Sequence, residues 1–136
     1  MRSLALVALG LALPTAPANA QFVTAEQVRP ILEATKGNWI AVRLYDGKDL
    51  LYFSHLEAWR CGLAGVRYGL NGAPPAIDYA LAPCDETAAN PNAIPNDHLP
   101  YVEGLPYSIA SVTVELTYDD GTVVTETFER AAVQID

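Results

Sequence analysis

Two cysteines, Cys61 and Cys84, bracket the pattern that most constrains the fold of this chain. Between them, GVRYGL at 65–70 and AIDYAL at 76–81 are typical of strands around the turn NGAPP, because Asn and Gly tolerate positive φ and proline ends a strand ladder. A register with the two cysteines facing each other also pairs Val66 with Tyr79, Arg67 with Asp78, and Tyr68 with Ile77. The sequence therefore predicts a hairpin closed by a Cys61–Cys84 disulfide.

The start of the chain indicates the redox environment of those cysteines. A short basic start precedes a continuous apolar run at 4–13, and ANA at 18–20 fits the cleavage pattern of a secretory signal peptide. No cysteine follows the cut to accept a lipid, and the run is shorter than the roughly 20 residues that cross a bilayer. We expect removal of residues 1–20, one exported domain over 21–136 without membrane insertion, and a periplasmic or secreted location where disulfides persist.

Strand patterns recur on both sides of the cysteine hairpin. NWIAVRLY and LLYFS flank the turn DGKD, and the second run is apolar on both faces, as in a central strand. SVTVELTY and VVTETFERAAV flank DDG, where a left-handed Gly121 closes a three-residue loop. Glu126 falls on the apolar face of this last hairpin, which the pattern leaves unexplained.

Two helices interrupt the strands. Thr24 and Gln27 have capping-box spacing at the start of a helix over 24–36, which Pro30 is expected to kink or delay. SHLEAWRCG repeats the capping-box spacing and predicts a second short helix. The sequence therefore predicts an α+β fold, with an N-terminal helix packed on a mostly antiparallel sheet of about six strands in three hairpins.

Residues 85–107 are the least regular part, with four prolines and three asparagines. This composition predicts no regular element, while its apolar side chains predict an ordered excursion. Recognition is expected here if any segment carries it, and the alternative is a loop that only covers a sheet edge. Aromatic side chains next to irregular segments are good interface anchors. The candidate partner surface comprises Trp59, His98, Tyr101 and Tyr107.

The chain carries none of the common catalytic or metal-binding patterns. Its serines lack a G-x-S-x-G frame, and His55 and His98 belong to no H-x-x-x-H or H-E-x-x-H pattern. The asparagines at 90, 92 and 96 lack calcium-loop spacing and are expected to form turns. We therefore expect no enzyme, no cofactor and no metal site.

Several short runs carry a resemblance. EATKGNW, WRCG, RYGLNG, PNAIP and VTVELTYDDGT together resemble small exported proteins of alphaproteobacteria, over nearly the whole mature chain. The resemblance implies an exported, disulfide-bearing domain and no particular mechanism.

The charge points to a class of partner. Sixteen acidic against eight basic side chains give a formal net charge of −8, which disfavours nucleic acid and favours a basic envelope protein. The alternative is that the charge only keeps the domain soluble. We expect a non-enzymatic protein-binding module of the bacterial envelope. A small-ligand carrier, or an inhibitor of a basic extracytoplasmic enzyme such as a lysozyme, is the alternative.

Overall fold

A computed structural model of the chain describes residue 5, residues 7–12 and residues 22–136. The expected cleavage site and most of the predicted signal peptide lie outside the described residues. Residues 5 and 7–12 are exposed and have no regular structure. Among the described residues, no helix has the length and apolar character needed to cross a membrane.

Residues 22–136 form three α-helices and seven strands. The helices are α1 (Ala25–Ala34), α2 (Ser54–Ala58) and α3 (Arg130–Val133), and 3-10 turns cover Lys36–Asn38 and Arg60–Gly62. The strands are β1 (Ala41–Tyr45), β2 (Lys48–Tyr52), β3 (Leu63–Leu70), β4 (Ile77–Tyr79), β5 (Tyr101–Gly104), β6 (Ser111–Tyr118) and β7 (Val123–Glu129).

The strands of residues 22–136 pair antiparallel in two sheets, ordered β1-β2-β5 and β4-β3-β6-β7. The predicted α+β class, antiparallel pairing and three hairpins are confirmed, with the strands divided between two sheets. As its two apolar faces predicted, β2 is central in its sheet. The prediction that 85–107 holds no regular element is wrong, because β5 pairs with β2 there.

The cysteine hairpin has the predicted register. Val66 faces Tyr79, Arg67 faces Asp78 and Tyr68 faces Ile77. Beyond the end of this ladder, Cys61 and Cys84 form a disulfide with an S–S distance of 2.06 Å and a Cα–Cα distance of 5.1 Å. The clasp joins the turn after α2 to the start of the long irregular segment.

Helix α1 begins at the predicted capping box, since Thr24 accepts a hydrogen bond from the Gln27 amide and the Gln27 side chain accepts one from the Thr24 amide. Pro30 lies inside the helix and does not delay its start. Val28 and Leu32 are completely buried in the core. The helix passes so close to Gly62 that a Cβ there would lie 2.2 Å from a Val28 methyl group, so only glycine fits.

The β6–β7 hairpin resolves the anomaly at Glu126. Gly121 is left-handed as predicted, with a φ of 87°, and Glu126 pairs with Val114 on the apolar face. Lys36, just after α1, donates a hydrogen bond to the Glu126 carboxylate at 2.7 Å. A carboxylate is therefore accommodated on the inner face because β7 is an edge strand within reach of that lysine.

The predicted capping box at the second helix is wrong. The N-cap residue of α2 is Phe53, which makes no side-chain capping bond, and Ser54 is already helical. Glu57 instead turns inward and is completely buried. Its carboxylate is the centre of a polar cluster.

Candidate binding surface and its buried anchors

The first buried anchor is the Glu57 carboxylate. Tyr79 donates its phenol hydrogen to Oε1 at 2.9 Å, the Ala82 amide donates to Oε2 at 3.1 Å, and His98 Nε2 lies 2.5 Å from Oε1. Burial raises the pKa of the Tyr79 phenol, and its hydrogen bond to Glu57 raises that pKa further. Since a buried carboxylate needs its oxygens satisfied, these bonds fix the residues around Ala82 and His98 against α2.

Arg60 and Asn92 extend this anchor beneath the disulfide. Arg60 is 3% exposed, and its Nε lies 3.8 Å from a Glu57 carboxylate oxygen. The guanidinium donates to the backbone carbonyls of Glu57, Ala82, Pro83, Asn92 and Ala93 at 2.6–3.0 Å. The Asn92 side chain accepts from the Cys61 amide and donates to the Phe22 carbonyl. The irregular segment is therefore ordered by buried side chains. Asn92 takes part in this through its side chain, in addition to the turn-forming role expected for it.

The second buried anchor is the Asp49 carboxylate on β2, which is also completely buried. Arg130 binds it with both terminal nitrogens, at 2.7 and 3.1 Å, and the amides of Tyr107 and Ile109 each donate to it at 3.0 Å. The hydrogen bonds from Arg130, together with those from the two amides, lower the pKa of Asp49 to about 2 against the opposing effect of burial. This anchor holds the chain between β5 and β6.

The two anchors hold opposite ends of one segment, residues 98–109. His98 reaches Glu57 at its start, and the amides of Tyr107 and Ile109 reach Asp49 at its end. Between them, β5 pairs with β2, and the Phe53 amide donates to the Pro100 carbonyl at 2.7 Å. The segment is therefore fixed at both ends and along its middle.

Tyr107 lies at the end of this segment in a strained conformation. Its φ is 57°, in the left-handed region that a tyrosine rarely adopts. The residue is 76% exposed, with the Arg130 guanidinium carbon 5.9 Å from the ring centroid. The Asp49 anchor thus holds an unfavourable backbone geometry that presents an aromatic ring to solvent.

One face of the β1-β2-β5 sheet carries a cluster of tyrosines. The other face packs on the core, where Val42 and Leu51 are completely buried. Since side chains alternate along a strand, the register places the neighbours of these residues on the outer face. This outer face carries Ala41, Arg43, Tyr45, Lys48, Leu50, Tyr52, Tyr101 and Glu103. We call its residues Arg43, Tyr45, Leu50, Tyr52 and Tyr101 the tyrosine face.

The tyrosine face is packed as well as exposed. The rings of Tyr52 and Tyr101 lie 5.3 Å apart, and the Arg43 guanidinium carbon lies 4.5 Å from the Tyr45 ring centroid. Leu50 is 5% exposed beneath these side chains, whereas Tyr45 is 55% exposed. At one end, a groove of about 530 Å³ runs between the turn at Gly47–Lys48 and residues 103–106.

The candidate surface residues have different neighbours. Trp59 is half-buried against the core and contacts the Phe22 ring, 5.2 Å away. His98 contacts Glu57, Tyr101 lies on the tyrosine face, and Tyr107 lies over Arg130. His98, Tyr101 and Tyr107 therefore share the 98–109 segment, whereas Trp59 lies at the turn before the disulfide. The sequence pattern missed Arg43, Tyr45 and Tyr52, although the doubly apolar β2 run was a signal for a packed outer face.

The geometry around the two histidines is distinct. His55 Nε2 lies 2.8 Å from the Thr35 hydroxyl, and burial lowers the pKa of its imidazole. A neighbouring pocket of about 250 Å³, lined in part by Trp39, Tyr52 and Ile135, is smaller than the roughly 300–1,000 Å³ of typical small-molecule sites. His98 lies next to the carboxylate of Glu57, but Glu57 has no exposed surface. Among the described residues, no cluster of His, Cys, Asp and Glu could hold a metal ion.

Comparisons of this chain with protein-family models, with curated proteins and with solved structures find no match.

Proposed function

We propose that this chain is a non-enzymatic protein-binding module of the bacterial envelope. Its contact surface comprises the tyrosine face and the exposed apolar side chains of the 98–109 segment. The observation that carries the proposal is the rigid presentation of exposed apolar groups, since Leu99, Leu105 and Tyr107 are 63%, 77% and 76% exposed. Tyrosine and arginine are enriched among the residues that dominate the energetics of protein interfaces, and contiguous exposed apolar patches mark binding surfaces.

The fixed backbone favours binding because ordering has already been achieved in the unbound protein. A mobile loop loses conformational entropy on association, at roughly 0.5–1.5 kcal/mol per immobilised side chain. Here the Glu57 and Asp49 anchors hold the ends of the segment, and Tyr52 packs on Tyr101 in its middle. The surface is therefore preorganised for contact.

The chemistry of the Glu57–His98 pair favours an anchoring role over catalysis. A general base must reach a substrate proton within hydrogen-bond distance. Both Glu57 oxygens already accept hydrogen bonds from the protein, and the side chain is completely buried. The pair is therefore suited to holding His98 in place.

The partner class follows from charge. A formal net charge of −8 attracts a basic protein at long range and raises its association rate. The predicted export signal supports a partner in the envelope, and the Cys61–Cys84 disulfide is compatible with such an oxidising compartment.

The test is site-specific photo-cross-linking in the cells that naturally express the protein. The photoreactive amino acid p-benzoylphenylalanine is placed at Tyr45, on the tyrosine face, and in a matched variant at the exposed Ala64 on β3. We expect a reproducible cross-link to one basic envelope protein from position 45 and none from position 64. Tyr101→Ser should weaken the cross-link at least about tenfold, because it removes a packed ring from the contact surface.

Two results would contradict the proposal. The first is the absence of any protein cross-link from position 45 when the variant is exported and folded. The second is equal labelling from positions 45 and 64, which would indicate random collision.

A further inference from the structure

Sheet edges offer backbone groups to an added strand, and the edges of this fold differ in how far they are open. In one sheet, β1 is partly covered, because the Ile135 amide donates to the Val42 carbonyl at 2.8 Å and Gln134 forms a parallel bridge with Val42. The edge strands β4 and β5 have three and four residues. Edge strand β7 has seven residues and is the longest edge among residues 22–136.

The ladder geometry tells which β7 groups point outward. The Tyr118 amide donates to the Thr122 carbonyl, and the Arg130 amide donates to the Ala110 carbonyl. In an antiparallel pair, hydrogen-bonded positions alternate, so the even-numbered residues of β7 bond to β6. The odd-numbered residues direct their amides and carbonyls away from the sheet. We call this set the β7 edge: Val123, Thr125, Thr127 and Glu129.

The β7 edge is exposed and carries little of the usual protection. All four of its residues are exposed, and among the described residues no hydrogen bond joins their backbone groups to a neighbouring segment. Natural edge strands are commonly protected by lysine, proline, a bulge or an inward-pointing charge. The sequence VVTETFE has no lysine or proline, its pairing with β6 is regular throughout, and its one inward-pointing charge, Glu126, is paired with Lys36.

Charge selects the class of strand that would fit. The cations near β7 are engaged, since Lys36 binds Glu126, Arg130 binds Asp49 and Arg29 binds Asp120. On the outer face, Glu115 lies between Arg67 and Thr125 in the register, and Arg67 binds Asp78. Glu129 is exposed at the end of the strand. The surroundings of the edge are therefore acidic, which opposes pairing with a second copy of this chain of net charge −8.

We propose that the β7 edge binds an extended basic segment of a partner protein by antiparallel strand addition. This inference rests on the proposed protein-binding function and names a second contact, at a different sheet from the tyrosine face. The amides and carbonyls of Val123, Thr125, Thr127 and Glu129 supply the main-chain hydrogen bonds. Basic side chains on the added strand meet Glu115 and Glu129 on the outer face.

The test uses ¹⁵N-labelled protein and a synthetic peptide, acetyl-Thr-Lys-Val-Lys-Val-Lys-Thr-amide, which matches β7 in length. With the peptide at up to about 1 mM, a concentration that detects weak main-chain binding, we expect shifts of the four β7-edge amide signals. Hydrogen exchange at those amides should slow up to about tenfold as the site fills. A peptide with glutamate in place of lysine should bind at least about tenfold more weakly.

A matched pair of variants isolates the main-chain contact. Thr125→Pro removes an outward-pointing amide without removing a bond to β6, so it should abolish binding while the chain stays folded. Thr125→Ala retains the amide and should bind normally. If Thr125→Pro does not fold, a peptide methylated at alternate backbone nitrogens gives the same test on the unaltered protein, and it should not bind.

Other results would overturn strand addition in distinguishable ways. No shift at 1 mM, or equal binding of the acidic peptide, would contradict the proposal directly. If the peptide shifts only signals of the tyrosine face, binding at the β7 edge would be contradicted, whereas the proposed protein-binding function would not. If no cross-link forms from position 45 but the peptide still shifts the β7-edge signals, only the assignment of the tyrosine face as a contact surface would be contradicted. A dimer that forms without peptide and is lost in Thr125→Pro would assign the edge to a second copy of the chain.

Discussion

Glu57 and Asp49 are both completely buried, yet they hold the two ends of the 98–109 segment by different means. Asp49 faces the two-pronged guanidinium of Arg130, and two backbone amides complete its bonds. Glu57 is bound by a phenol, one backbone amide and a histidine, while the nearest guanidinium, of Arg60, is directed mainly to carbonyls. One end therefore depends on a close ion pair, and the other on a hydrogen-bond network.

The difference shows how irregular chain can be fixed without a regular ladder. At the Asp49 end, one cation compensates one buried charge, so the loss of either partner leaves a costly group behind. At the Glu57 end, the cost of burial is distributed over several donors and supported by the neighbouring disulfide. We therefore expect the loss of one partner at the Asp49 end to cost most of the stability of that end. The loss of one donor at the Glu57 end should cost only a part.

The largest effect is expected from Arg130→Met, which leaves the Asp49 carboxylate buried without its cation. Breaking such a pair costs about 3–5 kcal/mol in the free energy of unfolding, measurable by urea denaturation. The double variant Arg130→Met with Asp49→Asn should recover part of that loss, because the uncompensated charge is gone. A loss below about 1 kcal/mol would indicate that this ion pair behaves like a solvent-exposed one.

Removal of the disulfide should follow in size. Cys61→Ser combined with Cys84→Ser opens a loop whose closure contributes about 3 kcal/mol in the chain-entropy model. The cost should be smaller to the extent that the β3–β4 ladder already holds the ends together. Unfolding of the unaltered protein with and without reductant gives the matched measurement, and the reduced protein should reproduce the variant. Equal stability in both states would mean that the Glu57 network alone supports this end.

Glu57→Gln should cost less, about 1–3 kcal/mol, because the amide oxygen still accepts a hydrogen bond while its NH₂ group cannot accept from a second donor. The backbone signals of His98 and Leu99 should broaden in NMR spectra, whereas those of Tyr107 should not. Tyr79→Phe is the control, since it removes one donor and should cost about 1 kcal/mol. Broadening at both ends of the segment would show that the anchors are not independent.

Lowering the pH should have the smallest effect on the free energy of unfolding over most of the range from pH 5 to pH 2. The pKa of Asp49 is lowered from 3.8 to about 2, so its stabilising contribution is complete above pH 4 and is lost as the pH falls towards 2. One proton changes the free energy of unfolding by at most about 1.4 kcal/mol per pH unit. Unfolding measured from pH 5 to pH 2 should show a shallower decline in Asp49→Asn than in the unaltered chain. Parallel declines would assign the acid sensitivity to other carboxylates.

Local patterns were sufficient for the hairpins and insufficient for the anchors. Alternating side chains, turn residues and facing cysteines predicted the register of β3 with β4, because each signal lies within a few residues of the next. The spacing of Glu57 to Ser54 predicts a capping residue, yet the partners of Glu57 lie 22, 25 and 41 residues away. No local period encodes such contacts. Lys36 and Glu126, separated by 90 residues, were missed for the same reason.

The contacts of α1 have a consequence for the order of folding. The first amide of the helix donates to Asp119, 94 residues later, and Arg29 binds Asp120 in the same turn. A ten-residue helix is too short to persist alone in water, and closing so long a loop is slow. We therefore expect the β6–β7 hairpin to form first and to act as the template on which α1 folds, so that α1 acquires its native conformation only after strands about 90 residues further along the chain.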